Sequence, residues 1–392
     1  MTTSITSDSV ISEEMLERFG SRAATYDREN RFFQEDWDEL KAAGYLKAAV
    51  PKEFGGLGLS LAEVCKEQAR IAYRAPATAL GTNMHIYWTG MAADMRRMGD
   101  ASLEWLLREA ADGEIFAAGH GERGVDLPLF LSTTSAKRVD GGYEYRGHKI
   151  FGSLSPVWTR LGLHGMDTEA AGGAQIVHAF MPRETKGYRI EKTWDTSGMR
   201  ATQSDDTILD GAMVPDKYIA RVLPAGGADL FVLGVFAWVE PTFASIYLGL
   251  AKRAIDLSVQ SAQKRTSLAL TRPMSYHPQV QFCLSEMTIA YNQALAYVEK
   301  IAADWSNGVD YGAAWPSHLV SVKHCATQAA SKIIDLAMTV SGGSGLFKTN
   351  ELERLTRDVR AGLLHPANEL LVPEIVGKTA LGIELGEQPR WG

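Results

Sequence analysis

The apolar periodicity of this chain switches twice, and the two switches bound what it can fold into. Over residues 11–112 the spacing is helical. Ile11, Met15, Leu16 and Phe19 recur at three- and four-residue intervals, as do Phe33, Trp37 and Leu40. Ser60 followed by Glu63 predicts a capping box that opens a helix, and residues 77–98 read as an apolar helix carrying Asn83, His85, Tyr87 and Trp88. Over residues 114–219 the texture becomes β-type, with short runs at 115–118, 132–139, 143–151, 175–181 and 207–214. Asp140-Gly141-Gly142 and Asp210-Gly211 mark tight connections. From about Gly226 the chain is helical again, with segments of bundle length at 244–264, 279–307, 317–340 and 350–364. No full helical pattern separates the strands, which predicts an antiparallel sheet or small barrel rather than alternating βαβ units.

At 392 residues the chain is too long for one small core. A net charge of −7 leaves no electrostatic footprint for nucleic acid or an anionic membrane. No apolar run is expected to reach membrane-spanning length. The first ten residues lack the basic and apolar regions of a secretory signal. Cys65, Cys283 and Cys325 are odd in number and far apart, as expected of reduced thiols in a cytoplasmic protein, with neither a disulfide framework nor a metal site.

Two glycine-rich stretches invite a ligand. Gly119-His120-Gly121-Glu122-Arg123-Gly124 has dinucleotide-fingerprint spacing, but a pyrophosphate site needs a helix to begin at the last glycine. Val125-Asp126-Leu127-Pro128 and further β-type sequence follow instead, which excludes a Rossmann unit here. Ser341-Gly342-Gly343-Ser344-Gly345 is nearly free of side chains, so its amides can approach a phosphate or a ring closely. A polar helix and the motif His365-Pro366-Ala367-Asn368-Glu369 come next. Alone, that turn reads equally well as a helix breaker.

Several segments carry a resemblance when taken in order. They are Pro51-Lys52-Glu53-Phe54-Gly55-Gly56-Leu57-Gly58, the run from Gly142 to Ser153, Trp194-Asp195-Thr196-Ser197-Gly198-Met199-Arg200-Ala201-Thr202 with Ser204-Asp205-Asp206, Gly249-Leu250-Ala251-Lys252-Arg253-Ala254-Ile255-Asp256, and the glycine turn with Arg357-Asp358. Over nearly the whole chain they resemble the acyl-CoA dehydrogenase superfamily of flavoproteins. The resemblance implies an α+β fold: an N-terminal helical domain over 1–113, a central antiparallel β-barrel over 114–222 and a C-terminal four-helix bundle over 223–392. It also implies bound FAD, with FMN as the alternative, and a homotetramer. Phe151 would lie on the isoalloxazine face, where an aromatic suits stacking, with Gly152 beside it. The Ser153 hydroxyl would serve flavin N5, since it both donates and accepts. His120, Gly121 and Glu122 would line the flavin edge. Arg265 would pair with the pyrophosphate of a neighbouring subunit, Gly342 and Gly343 would approach the adenylate, and Asn368 the ribityl chain.

The chain departs from the dehydrogenases where their chemistry lies. Those enzymes need a general base, normally a glutamate. Its usual position, one residue after a tyrosine, aligns with Pro366, and the tyrosine aligns with His365. Proline takes no proton. Members with the glutamate on the long helix place it at Val239, so Glu240 is one step off register, about 100° around a helix. Glu240 ahead of Pro241 also reads as a helix N-terminal charge. Flavin monooxygenases of the dibenzothiophene monooxygenase type share the fold and lack the base; His365, Ser153 and His85 match their catalytic set. The resemblance therefore implies a monooxygenase that uses O2 and reduced flavin through a C4a-hydroperoxyflavin, with a small-molecule substrate and a separate flavin reductase as partners. A dry site and a histidine able to shuttle a proton suit that chemistry. The alternatives are an FAD-dependent acyl-thioester dehydrogenase with Glu240 as displaced base, and a flavin-binding relative without catalysis. Trp88, Trp158, Phe236, Trp238 and Tyr247 read either as a core stripe or as an aromatic pocket.

Overall fold

A computed structural model describes residues 9–125 and 129–387. Five helices open it: α1 (Glu13–Glu29), α2 (Gln34–Ala42), α3 (Leu61–Arg74), α4 (Pro76–Arg97) and α5 (Glu104–Asp112). α3 begins with the expected capping box. Ser60 Oγ accepts from the Glu63 amide at 3.3 Å, and the Glu63 carboxylate accepts from the Ser60 amide at 2.8 Å. α4 is buried almost all round, which is why its sequence shows so little amphipathic contrast.

Eight strands follow: β1 (Phe116–Gly119), β2 (Ser135–Val139), β3 (Gly142–Gly152), β4 (Arg160–Asp167), β5 (Gln175–Pro182), β6 (Tyr188–Glu191), β7 (Asp205–Pro215) and β8 (Ile219–Pro224). They make one sheet in the order β6-β7-β3-β2-β4-β5-β8, with β1 also on β4. This corrects the expected antiparallel barrel in two ways. The sheet is open between β6 and β8, and β1 and β2 run parallel to β4. β4 escaped sequence reading because it contains no β-branched residue and is buried along both faces, so it shows neither composition nor alternation. No helix begins at Gly124, and residues 126–128 of that candidate motif lie outside the described residues.

The last part holds α6 (Leu230–Lys264), α7 (Pro278–Ser306), α8 (Trp315–Ser341), α9 (Glu351–Asp358), α10 (Arg360–Leu364) and α11 (Leu371–Leu381). The expected fourth bundle helix is broken at Val359 into α9 and α10. α6 is the spine: it packs on α7 and α8 on one side and on α3 and α4 on the other. By length and composition it reaches membrane-spanning size, contrary to expectation, yet 78% of its most apolar window is buried inside the fold. Pro241 sits well inside this helix, so Glu240 is not a helix N-terminal charge.

Candidate functional site

The polar end of β3 carries the residues expected against a flavin. Phe151 has a left-handed backbone, φ 60°, and its ring is 62% exposed, touching Trp194 edge-on at 6.1 Å. A strained aromatic presented to solvent costs stability and marks a surface built for a ligand. Gly152 follows, and Ser153 is buried between Phe151 and Leu154, which is also left-handed at φ 65°. Ser153 Oγ lies 2.7 Å from Ser204 Oγ, and Ser204 Oγ lies 2.7 Å from Thr202 Oγ1. An open aromatic face beside a shielded hydroxyl fits an isoalloxazine ring with a polar N5 edge.

The neighbouring segment is held from behind. Gly121 O accepts from Ile150 N at 2.9 Å. Glu122 does not face outward: its carboxylate is buried against the Lys149 ammonium and takes hydrogen bonds from Ser132 and Thr133. Burial would raise the Glu122 carboxyl, but the Lys149 ammonium and the hydrogen bonds of Ser132 and Thr134 hold it down to about 2. His120 packs against Trp88 at 5.4 Å and His164 at 5.2 Å, with His178 next in the stack. Thus the segment bears on the site through its backbone, while the Glu122 side chain belongs to the core of the sheet.

His365 ends α10. The proline after it disfavours helix, so His365 turns extended, at φ −58° and ψ 152°. Its Nε2 lies 2.8 Å from Tyr247 Oη, and its ring packs on Phe243 at 4.7 Å. Burial, and then the nearby Lys323 ammonium, push the imidazole down to about 3, so it is neutral near pH 7. Lys323 donates from Nζ to the carbonyls of His365 and Ala367, each at 3.0 Å. Glu240 Oε1 accepts from the Ala367 amide at 3.4 Å, while Oε2 finds no partner. Burial raises the Glu240 carboxyl and the Lys323 charge opposes that rise. The off-register carboxylate therefore grips the backbone two residues past His365. Sequence reading missed Lys323, although a lysine four residues after Leu319, on the buried stripe of α8, is a signal of an internal partner.

A loop joins the two halves. Asp358 Oδ1 accepts from the Met199 amide at 2.6 Å, and Arg357 Nη1 donates to Ser197 O at 2.6 Å. Ser204 and Thr202 lie on that same loop, and His365 is seven residues past Asp358, roughly 10 Å of helical rise. His85 does not join them. Its Nε2 bonds Leu46 O at 2.9 Å and its Nδ1 accepts from Phe116 N at 3.0 Å, so both nitrogens are spent on backbone. This corrects its catalytic reading: it is a strut between α4 and β1. Asn368 uses its Oδ1 on the amides of Leu370 and Leu371, opening α11. Arg265 donates to Ser341 O at 2.6 Å beside Gly342, whose φ is 62°. Gly342 and Gly343 are thus brought to Arg265, but at the far end of α8, nineteen residues or roughly 28 Å along the helix from Lys323. Of the aromatic residues, Tyr247 reaches His365. Trp158 packs on Tyr188 and Arg183, Trp238 donates to Asp94, Trp88 donates to Ala117 O, and Phe236 meets Phe130.

Helical segments precede and follow a central sheet, and the end of β3 presents an exposed aromatic beside a shielded hydroxyl. Family models for the acyl-CoA dehydrogenase N-terminal domain match residues 9–103, and for the acyl-CoA dehydrogenase C-terminal domain residues 241–369. The chain belongs to the acyl-CoA dehydrogenase superfamily of flavin-dependent enzymes, which use FAD or FMN. It is 29% identical to the putative acyl-CoA dehydrogenase YdbM of Bacillus subtilis (strain 168), covering 90% of this chain and 91% of that one. It is 27% identical to the amino sugar nitrososynthase DnmZ of Streptomyces peucetius, covering 94% and 92%. It is 24% identical to the dibenzothiophene monooxygenase of Mycolicibacterium goodii, covering 93% and 91%. Among solved structures, KijD3 in complex with FMN and a dTDP-amino sugar superimposes with a TM-score of 0.81 at 25% identity, covering 95% and 92%.

Proposed function

We propose that this chain is a flavin-dependent monooxygenase, fed with reduced flavin by a separate reductase and acting on a small molecule. Bound reduced flavin supplies the electrons that activate O2. The observation that carries the reading is the neutral imidazole of His365, tied to Tyr247 and aligned with the tyrosine that precedes the dehydrogenase base, while Pro366 takes the base position itself. With Nε2 committed to Tyr247, Nδ1 of the neutral imidazole is left to hydrogen-bond a bound group. Phe243 and Tyr247 pack against the ring and line this side of the site with aromatic surface, which suits oxygen chemistry that must not leak to peroxide. The separation of Arg265 and Gly342 from His365 supports an adenylate site completed by another subunit.

The second reading is an acyl-thioester dehydrogenase using Glu240. It is favoured by the unpartnered, buried Oε2 of Glu240 and by the similarity to YdbM. Two measurements separate the readings. Anaerobic bleaching of bound FAD by acyl-CoA thioesters, lost in Glu240→Gln, would establish the dehydrogenase. Oxygenated product formed from reduced flavin and O2, lost in His365→Ala and retained in Glu240→Gln, establishes the monooxygenase.

A further inference from the structure

The three hydroxyls behind the flavin-side edge form a relay whose direction can be worked out. Thr202 Oγ1 lies 2.9 Å from the Met199 carbonyl oxygen. A carbonyl has no proton to give, so at that distance the threonine must donate. Its one proton is then spent. The 2.7 Å contact between Thr202 and Ser204 therefore requires Ser204 to donate, and the 2.7 Å contact between Ser204 and Ser153 requires Ser153 to donate. All three residues are buried, so water does not compete to reverse the order. The left-handed turns at Phe151 and Leu154 fix Ser153 in place. At the outer end, Ser153 Oγ has only lone pairs to offer.

The two redox states of a flavin differ at this atom: N5 of the reduced ring bears a hydrogen, and N5 of the oxidised ring bears a lone pair. We propose that the Thr202–Ser204–Ser153 relay makes Ser153 an acceptor only and so sets a preference for reduced over oxidised flavin, with Ser204 and Thr202 as positioning residues. The inference rests on the reading that places flavin N5 at Ser153. Oxidised flavin would face two opposed lone pairs, or force Ser153 to break from Ser204 and leave that buried hydroxyl short of a donor.

The test is a pair of titrations on the full-length protein, with FMN and with FAD, oxidised in air and reduced under anaerobic conditions. Wild type is expected to bind the reduced form at least roughly tenfold more tightly, the worth of one well-made hydrogen bond against one frustrated contact. In Ser204→Ala the Ser153 proton is released, and the preference is expected to fall about tenfold, mostly through tighter binding of the oxidised form. Thr202→Val removes the anchor and is expected to do the same, while Thr202→Ser restores the wild-type ratio. A merely structural role would weaken both redox states together and leave their ratio unmoved; that result, in variants with wild-type circular dichroism, overturns the relay while leaving the flavin site standing. No binding of either redox form to wild type overturns both.

Discussion

Tyr247 Oη and His365 Nε2 lie 2.8 Å apart across the gap between α6 and the end of α10, a contact spanning 118 residues of sequence. Tyr247 is fully buried, and burial raises its hydroxyl well above the usual phenol range, so it stays protonated. Tyr247→Phe keeps the ring packing and removes the hydroxyl partner of that imidazole nitrogen. The expected cost is about 1 kcal/mol in stability, read by denaturant melts. The larger effect is expected in coupling: more hydrogen peroxide and less product per O2 consumed, followed with an oxygen electrode and a peroxide assay. Unchanged coupling would remove Tyr247 from the proton path.

Gly198 and Arg357 come from segments that sequence alone shows only as separate motifs. A Cβ on Gly198 would sit 2.4 Å from Arg357 O and 2.8 Å from Asp358 N, both backbone atoms that cannot swing aside. Gly198→Ala is therefore expected to push α9 from the loop, cost about 2 kcal/mol, and weaken flavin binding through Thr202 and Ser204. Calorimetric melting and flavin titration check it. A variant with wild-type values of both would mean the loop and α9 can separate without cost.

That contact explains why the motifs were legible together. The run from Trp194 to Thr202, the Ser153 region and Arg357-Asp358 meet in space, so each constrains the others and each leaves a readable residue choice. Other features left no such trace. β4 lacks the β-branched side chains and alternation that announce a strand, because burial on both faces removes the need for a polar side. Pro241 reads as a helix start, yet α6 continues through it, with the Thr242 and Ser245 hydroxyls bonding back to Trp238 O and Pro241 O one turn earlier. His85 matched by residue type and position, and only its two backbone partners reveal a strut. Side-chain direction, on which that distinction turns, is not written in spacing.

Lys323 and Glu240 hold residues 365–367 from two helices, and both are 1% exposed. Lys323→Met removes two hydrogen bonds to the 365–367 backbone and the charge near buried Glu240, with an expected cost of about 2 kcal/mol. Adding Glu240→Leu removes the buried carboxyl, so the double variant is expected to recover part of that loss. A double-mutant cycle in urea reads the coupling directly; strict additivity would mean the two side chains act independently. If Glu240 serves the clamp, Glu240→Gln, which can still accept from Ala367, should remain close to wild type in stability.

Acid should destabilise the protein before its carboxylates titrate in the ordinary range. His85, His164 and His178 are buried, and burial lowers all three: His85 to about 4, His178 to about 3, and His164 well below the usual value. The unfolded chain binds these protons near pH 6.5 while the folded chain does not, so stability is full above about 6.5 and falls as pH drops toward the folded values. Each such group contributes a slope of about 1.4 kcal/mol per pH unit. Asp36, raised to about 6 by burial, works the other way, since the folded state takes up its proton first as pH falls. Burial raises Glu240 and Asp358 in the same opposing sense, but it lowers His120 and His365 along with the other three histidines, so the net slope is downward. His178 is the position to test, because neither of its nitrogens makes a bond of good hydrogen-bond geometry. His178→Phe keeps a ring against Phe231 and His164 and removes one titration. The variant is expected to gain about 2 kcal/mol on wild type between pH 7 and pH 5, measured by urea melts at the two values. Parallel loss in both proteins would show that His178 already carries its proton when folded.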